Sequence, residues 1–76
     1  MTTFDIKLST IEDVRKFVDA VTRFPVDVDL ASGRYIVDAK SIMGIFSLDL
    51  LSPITVNIHS DDAKDLEEAL SEFKVK

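Results

Sequence analysis

In Val26-Asp27-Val28-Asp29-Leu30-Ala31-Ser32-Gly33-Arg34-Tyr35-Ile36-Val37-Asp38-Ala39, apolar Val26, Val28 and Leu30 alternate with Asp27 and Asp29. A period of two puts the apolar side chains on one face and the carboxylates on the other, which predicts a half-buried strand. Ala31-Ser32-Gly33-Arg34 reads as a hairpin turn, with Gly33 free to take positive φ, and Tyr35–Ala39 as the returning strand. Strands with one wet face suit an antiparallel sheet covered by helices on one side only.

Working outward, Pro25 ends the segment upstream. Before it, Ile11, Val14, Phe17, Val18, Val21 and Phe24 recur at helical spacing, with Glu12, Arg15, Lys16, Asp19 and Arg23 opposite. Ser9 or Thr10 supplies the N-cap of this helix. Ser9 with Glu12 matches a capping box, and Asp13 adds favourable negative charge at the helix start. Thr3–Leu8 alternates again and predicts the first strand.

Downstream, Lys40-Ser41 introduces Ile42–Leu51, apolar on most sides, which reads as a short, partly buried helix capped by Ser41. Ser52-Pro53 breaks it, and Ile54, Val56 and Ile58 mark a fourth strand. Ser60-Asp61-Asp62 then caps a final helix with Ala63, Leu66, Ala69, Leu70 and Phe73 as its inward stripe. The order β-α-β-β-α-β-α predicts an α+β open-faced sandwich, an antiparallel sheet of four strands with three helices on one face. The length of 76 residues allows one domain spanning 1–76.

Composition excludes several functions. The chain has no cysteine and a single histidine, His59, which leaves neither a disulfide framework nor a thiolate or multi-histidine metal site. A net charge of −5 opposes binding to nucleic acid or an anionic membrane surface. The longest apolar stretch, Ile42–Leu51, is too short to span a bilayer, and residues 1–10 lack the pattern of a signal peptide, so the cytoplasm is the expected location. Gly33 and Gly44 are the only glycines, too few for a phosphate-cradling loop. No cofactor is expected. His59 has no acid near it in sequence except Asp61 and Asp62. Alternation explains Asp27, Asp29 and Asp38 as the wet face of the sheet, and no nucleophile with a base is visible, so the chain does not read as an enzyme.

One stretch carries a family resemblance. Val37-Asp38-Ala39-Lys40-Ser41-Ile42-Met43-Gly44-Ile45-Phe46-Ser47-Leu48 resembles the central region of HPr, the histidine-containing phosphocarrier of the bacterial sugar phosphotransferase system. More weakly, the resemblance covers nearly the whole chain. It implies an HPr-like open-faced β-sandwich with strand order 1-4-2-3. It also implies that Ser41 matches the regulatory phosphorylation serine, and that Ile42, Met43 and Phe46 match exposed residues that dock partner proteins.

The loop after the first strand departs from that family. Where HPr proteins carry a Gly-x-His-Ala-Arg-Pro type sequence, this chain has Leu8-Ser9-Thr10-Ile11-Glu12-Asp13, with Thr10 at the degenerate phosphocarrier position. A phosphohistidine needs free amides and a nearby cation, whereas two carboxylates stand here. A threonine hydroxyl is a poor acceptor without an activating base.

The expected function is therefore an HPr-like non-carrier that binds protein through the Ser41–Leu51 helix under control of Ser41 phosphorylation. The resemblance implies as partners an HPr kinase-like enzyme and a catabolite control transcription factor or metabolic enzyme. Two alternatives stand beside it. One is a phosphocarrier working through Thr10, Ser41 or His59; the other is an interaction module unrelated to sugar transport. For Ser41 a plain helix cap, worth about 1 kcal/mol, and for Ile42, Met43 and Phe46 core packing, are the competing structural roles.

Overall fold

Backbone pairing follows the alternation read above. The computed structural model describes residues 1–75 and places β1 (Thr2–Ile6), β2 (Val28–Ser32), β3 (Tyr35–Asp38) and β4 (Ile54–Ile58) in one antiparallel sheet ordered β1-β4-β2-β3. Three helices, α1 (Ile11–Thr22), α2 (Ile42–Phe46) and α3 (Lys64–Ala69), are followed by a 3-10 turn over Ser71–Phe73. Ile6, Val28, Leu30, Ile54, Val56 and Ile58 are buried from the sheet, and Val14, Phe17, Val21, Ile45, Leu66 and Leu70 from the helices, all in one core. Phe17 and Phe73 meet edge to face with centroids 5.7 Å apart. The other face of the sheet is polar, with Thr3 bonded to Asn57 and Thr55 to Asp5.

Several boundaries differ from the sequence reading. Tyr35 pairs with Ser32, so the turn is Gly33-Arg34, one residue later than the Ala31–Arg34 reading. Gly33 holds φ 60 at the first central position of this two-residue hairpin, where a side chain would be strained. Thr10, not Ser9, caps α1, and its box partner is Asp13, not Glu12. Ile11 opens that helix but stays 67% exposed, because the first turn lies beyond the edge of the core.

The helix read over Ile42–Leu51 stops at Phe46. Side chains outcompete the helix from there. The Ser47 hydroxyl donates to the Gly44 carbonyl at 2.6 Å, and the Asp49 carboxylate accepts from the Leu51 amide and the Ser52 hydroxyl. Leu48 remains buried while Leu51 is 88% exposed.

The Ser60-Asp61-Asp62 cap does not form. Asp61 accepts from the Met1 amino group at 2.7 Å, Ser60 Oγ accepts from the Asp62 amide, and α3 starts at Lys64 with Ala63 at its N-cap and no side-chain cap. Ala69 is exposed rather than inward, since the chain tightens into the 3-10 turn that carries Phe73 inward. Residues after that turn add to the free edge of β1. The Lys7 amide donates to the Phe73 carbonyl and the Val75 amide to that of Asp5. Lys74 lies over the Phe4 ring and pairs with Glu67 at 2.8 Å.

Candidate functional site

Thr10 stands at the start of α1 with extended backbone (φ −132, ψ 165). Its hydroxyl accepts from the Asp13 amide at 3.0 Å, while the Asp13 carboxylate turns back to accept from the amides of Ser9 at 3.0 Å and Thr10 at 3.2 Å. Amides at a helix N-terminus are the natural seat of an anion. Here the Asp13 carboxylate stands at that end of the helix, on the two amides that precede Ile11. Glu12 adds a second negative charge in the same turn. The Thr10 hydroxyl has no basic side chain among its described hydrogen bonds, so nothing in the site activates it as a nucleophile.

Ser41 occupies the equivalent position on α2. Its Oγ accepts from the Gly44 amide at 3.2 Å, and its carbonyl accepts from the Ile45 amide at 3.1 Å. Gly44 matters for a steric reason: a Cβ there would stand 3.2 Å from Ser41 Oγ and 3.3 Å from Val37 Cβ. The missing side chain is what lets α2 sit this close to β3. Lys40, next to Ser41, spends its ammonium on the Phe24 carbonyl at 3.1 Å, and its amide donates to Asp38 Oδ1.

The apolar residues of α2 divide by face. Ile45 is buried and Ile42 half-buried against the core, whereas Met43 is 78% and Phe46 42% exposed. With Leu51 beyond them, the outer side of this segment presents large apolar side chains to water. Sequence reasoning had placed Leu51 inside the helix and missed its exposure. It also missed the role of Asp13, although a Thr-x-x-Asp spacing was there to be read as a capping box.

His59 and three aspartates form a separate cluster. Asp27, Asp29, Asp38 and His59 line an open hollow of about 380 Å³. His59 Nε2 lies 2.5 Å from Asp29 Oδ2 across the sheet, so its acidic partner is Asp29 and not Asp61 or Asp62. Among the described residues no group of three or more His, Cys, Asp or Glu side chains is placed to hold a metal ion. The Met1 ammonium beside Asp61 holds its carboxyl below the usual range, through the hydrogen bond first and its charge second.

A four-stranded antiparallel sheet in the order β1-β4-β2-β3, covered on one face by helices, defines an open-faced α+β sandwich of the phosphocarrier type. Residues 13–75 match the family model of the phosphotransferase system HPr component phosphorylation site. The chain belongs to this family. The match begins at Asp13, leaving Thr10 outside the matched residues.

Solved structures agree. HPr-C-His from Thermoanaerobacter tengcongensis is 25% identical with a TM-score of 0.79, covering 95% of this chain and 89% of that one. The phosphocarrier protein HPr of Bacillus anthracis is 29% identical with a TM-score of 0.74, covering 97% and 96%. The catabolite repression protein Crh of Bacillus subtilis, solved as a swapped dimer, is 26% identical with a TM-score of 0.66, covering 93% and 88%. No curated protein sequence is matched. No helix among the described residues is long and apolar enough to cross a membrane.

Proposed function

We propose that this chain is a non-carrier member of the HPr family that acts in the cytoplasm by binding a protein partner, not as an enzyme. One observation carries the reading: position 10 is threonine, and the Asp13 carboxylate turns back onto the Ser9 and Thr10 amides beside it, where together with Glu12 it opposes a phosphate at that position by like-charge repulsion. The docking surface is the outer side of the segment from Ser41 to Leu51, with Met43 and Phe46 as its exposed apolar residues and Ile42 at its inner margin. An adaptable Met beside an aromatic ring suits a protein surface better than a small ligand.

Ser41 is the control point in this reading. A phosphate on its Oγ adds a charge of about −1.5 to −2 at the start of α2. The partner is then a catabolite control transcription factor or a metabolic enzyme, and the modifying protein an HPr kinase-like enzyme. Likeness to Crh, a protein named for catabolite repression, supports this choice over a role outside carbon-source control.

Intact-mass spectrometry tests the reading. The chain and its Ser41→Ala variant are incubated separately with HPr kinase and ATP, and with enzyme I and phosphoenolpyruvate. One phosphate from the kinase, absent in Ser41→Ala, is the expected result. A phosphate delivered by enzyme I overturns the non-carrier reading, and no phosphate from either removes Ser41 as the control point.

A further inference from the structure

The geometry points to β3 as a self-pairing edge. We propose that two copies of this chain join antiparallel through β3 about a two-fold axis at Ile36, fusing their sheets into one.

Parity of the β2–β3 ladder decides which backbone groups are free. The Ala39 amide donates to the Val28 carbonyl at 2.9 Å, and Val37 and Tyr35 share the parity of Ala39. Those residues turn their N–H and C=O groups toward β2, so Ile36 and Asp38 turn theirs outward, where the Asp38 carbonyl already accepts from the Ser41 amide at 3.0 Å. No other described hydrogen bond reaches the backbone of Ile36. Its side chain is 69% exposed and that of its neighbour Tyr35 71%, at the one sheet edge that no other segment of the described chain extends.

Charge selects a second copy as the occupant. A two-fold axis at Ile36 sets Ile36 against the partner's Ile36, each exchanging its outward N–H and C=O with the other. Arg34 and Asp38 lie two residues either side, so Arg34 faces the partner's Asp38 and Asp38 the partner's Arg34. Tyr35 meets the partner's Val37 on the helix-covered side. Shifting the register by two residues either way sets one of these charges against Ile36 and loses both pairs. Charged residues commonly guard a short edge against self-pairing. Here the two have opposite signs and symmetric spacing, so they direct it instead.

Strands of four residues bury little, well under the roughly 1,600 Å² of a standard interface, so the pairing is weak and concentration-dependent. The test is NMR relaxation over a dilution series, with a mixed labelled and unlabelled sample at the top concentration. The rotational correlation time should rise toward that of a dimer, with intermolecular contacts between Ile36 side chains. Ile36→Lys, at an exposed position that leaves the core intact, should tumble as a monomer throughout. Arg34→Asp and Asp38→Arg should each weaken association, and the double variant restore it. The proposal fails if the unmodified chain stays monomeric at every concentration, if Ile36→Lys still dimerises, or if the contacts run through exchanged β1 strands.

Discussion

Replacing Gly44 by alanine sets two opposing effects against each other at the start of α2. Glycine inside a helix costs about 0.5–1 kcal/mol relative to alanine, so Gly44→Ala gains that much in an unobstructed helix. This helix is obstructed. The new Cβ would lie 3.2 Å from Ser41 Oγ and 3.3 Å from Val37 Cβ. The serine can rotate away, but its hydroxyl then releases the Gly44 amide, and losing an N-cap costs about 1 kcal/mol. Val37 Cβ is fixed to the β3 backbone, so α2 must lift by a few tenths of an ångström, and overpacking of this kind costs about 1–3 kcal/mol. The losses win, leaving a net destabilisation of about 1–3 kcal/mol by these terms. Equilibrium urea unfolding reads it as a lower midpoint at unchanged slope. A double-mutant cycle sharpens the test. Ser41→Ala alone should cost about 1 kcal/mol, but close to nothing once Gly44→Ala has already broken the cap. A Gly44→Ala chain more stable than the original, or strict additivity of the two substitutions, would refute the reasoning.

Phe17→Ala should cost about 3–5 kcal/mol, a large share of the roughly 4–11 kcal/mol expected for a chain this size, because its fully buried ring packs on Phe73. Thermal unfolding by circular dichroism measures this, and a loss under about 1 kcal/mol would show that the site collapses freely. Asp38 stands directly opposite Asp29 in the β2–β3 register, so Asp38→Asn should stabilise the fold by about 0.2–1 kcal/mol while keeping the Oδ1 acceptor for the Lys40 amide. The gain should fade at high salt, which screens the repulsion; a constant gain across ionic strength would point to another cause. Thr10→His should take no phosphate from enzyme I while the Glu12 and Asp13 carboxylates crowd the helix start, and a stoichiometric phosphohistidine by NMR would contradict the repulsion argument.

Period-two alternation made the sheet legible, since Val28, Leu30, Val56 and Ile58 all turn inward as their spacing implies. The strand order did not come from periodicity; it came with the HPr resemblance, and the sheet follows it. What escaped the sequence reading was decided by competition between polar groups. Ile42–Leu51 is apolar enough to continue as helix, yet the Ser47 hydroxyl and Asp49 carboxylate offered the backbone better partners. Asp61 looked like a cap, but an amino group distant in sequence claimed it. Lys74 and Val75 carry no alternation of their own, so their addition to the edge of β1 had no local signal. At the candidate site, Ser41 as the cap of α2 and Thr10 as one of two candidate caps of α1 were both readable from residue type. The partner of Thr10 was not, because both Glu12 and Asp13 lay at plausible spacing and only the backbone path chooses between them.

The two helix starts of this chain now differ in a way that bears on where a phosphate can be placed. α1 carries Glu12 and Asp13 in its first turn, and the Asp13 carboxylate turns back onto the Ser9 and Thr10 amides. α2 has no acidic residue in its first turn and is closed only by a neutral hydroxyl on the Gly44 amide. A dianion on Thr10 would have to sit beside both of these carboxylates. On Ser41 it would replace one weak acceptor with a stronger one, on the same atom and facing the same amide. Like-charge repulsion in the first turn is present at Thr10 and absent at Ser41, so the electrostatics favour the second helix start over the first. This is why the proposed control by Ser41 and the proposed loss of carriage at Thr10 belong together: an Asp13→Ala chain, with one of the two first-turn carboxylates removed, should narrow the difference between the two sites, and Ser41 phosphorylation by the kinase should be unaffected by it.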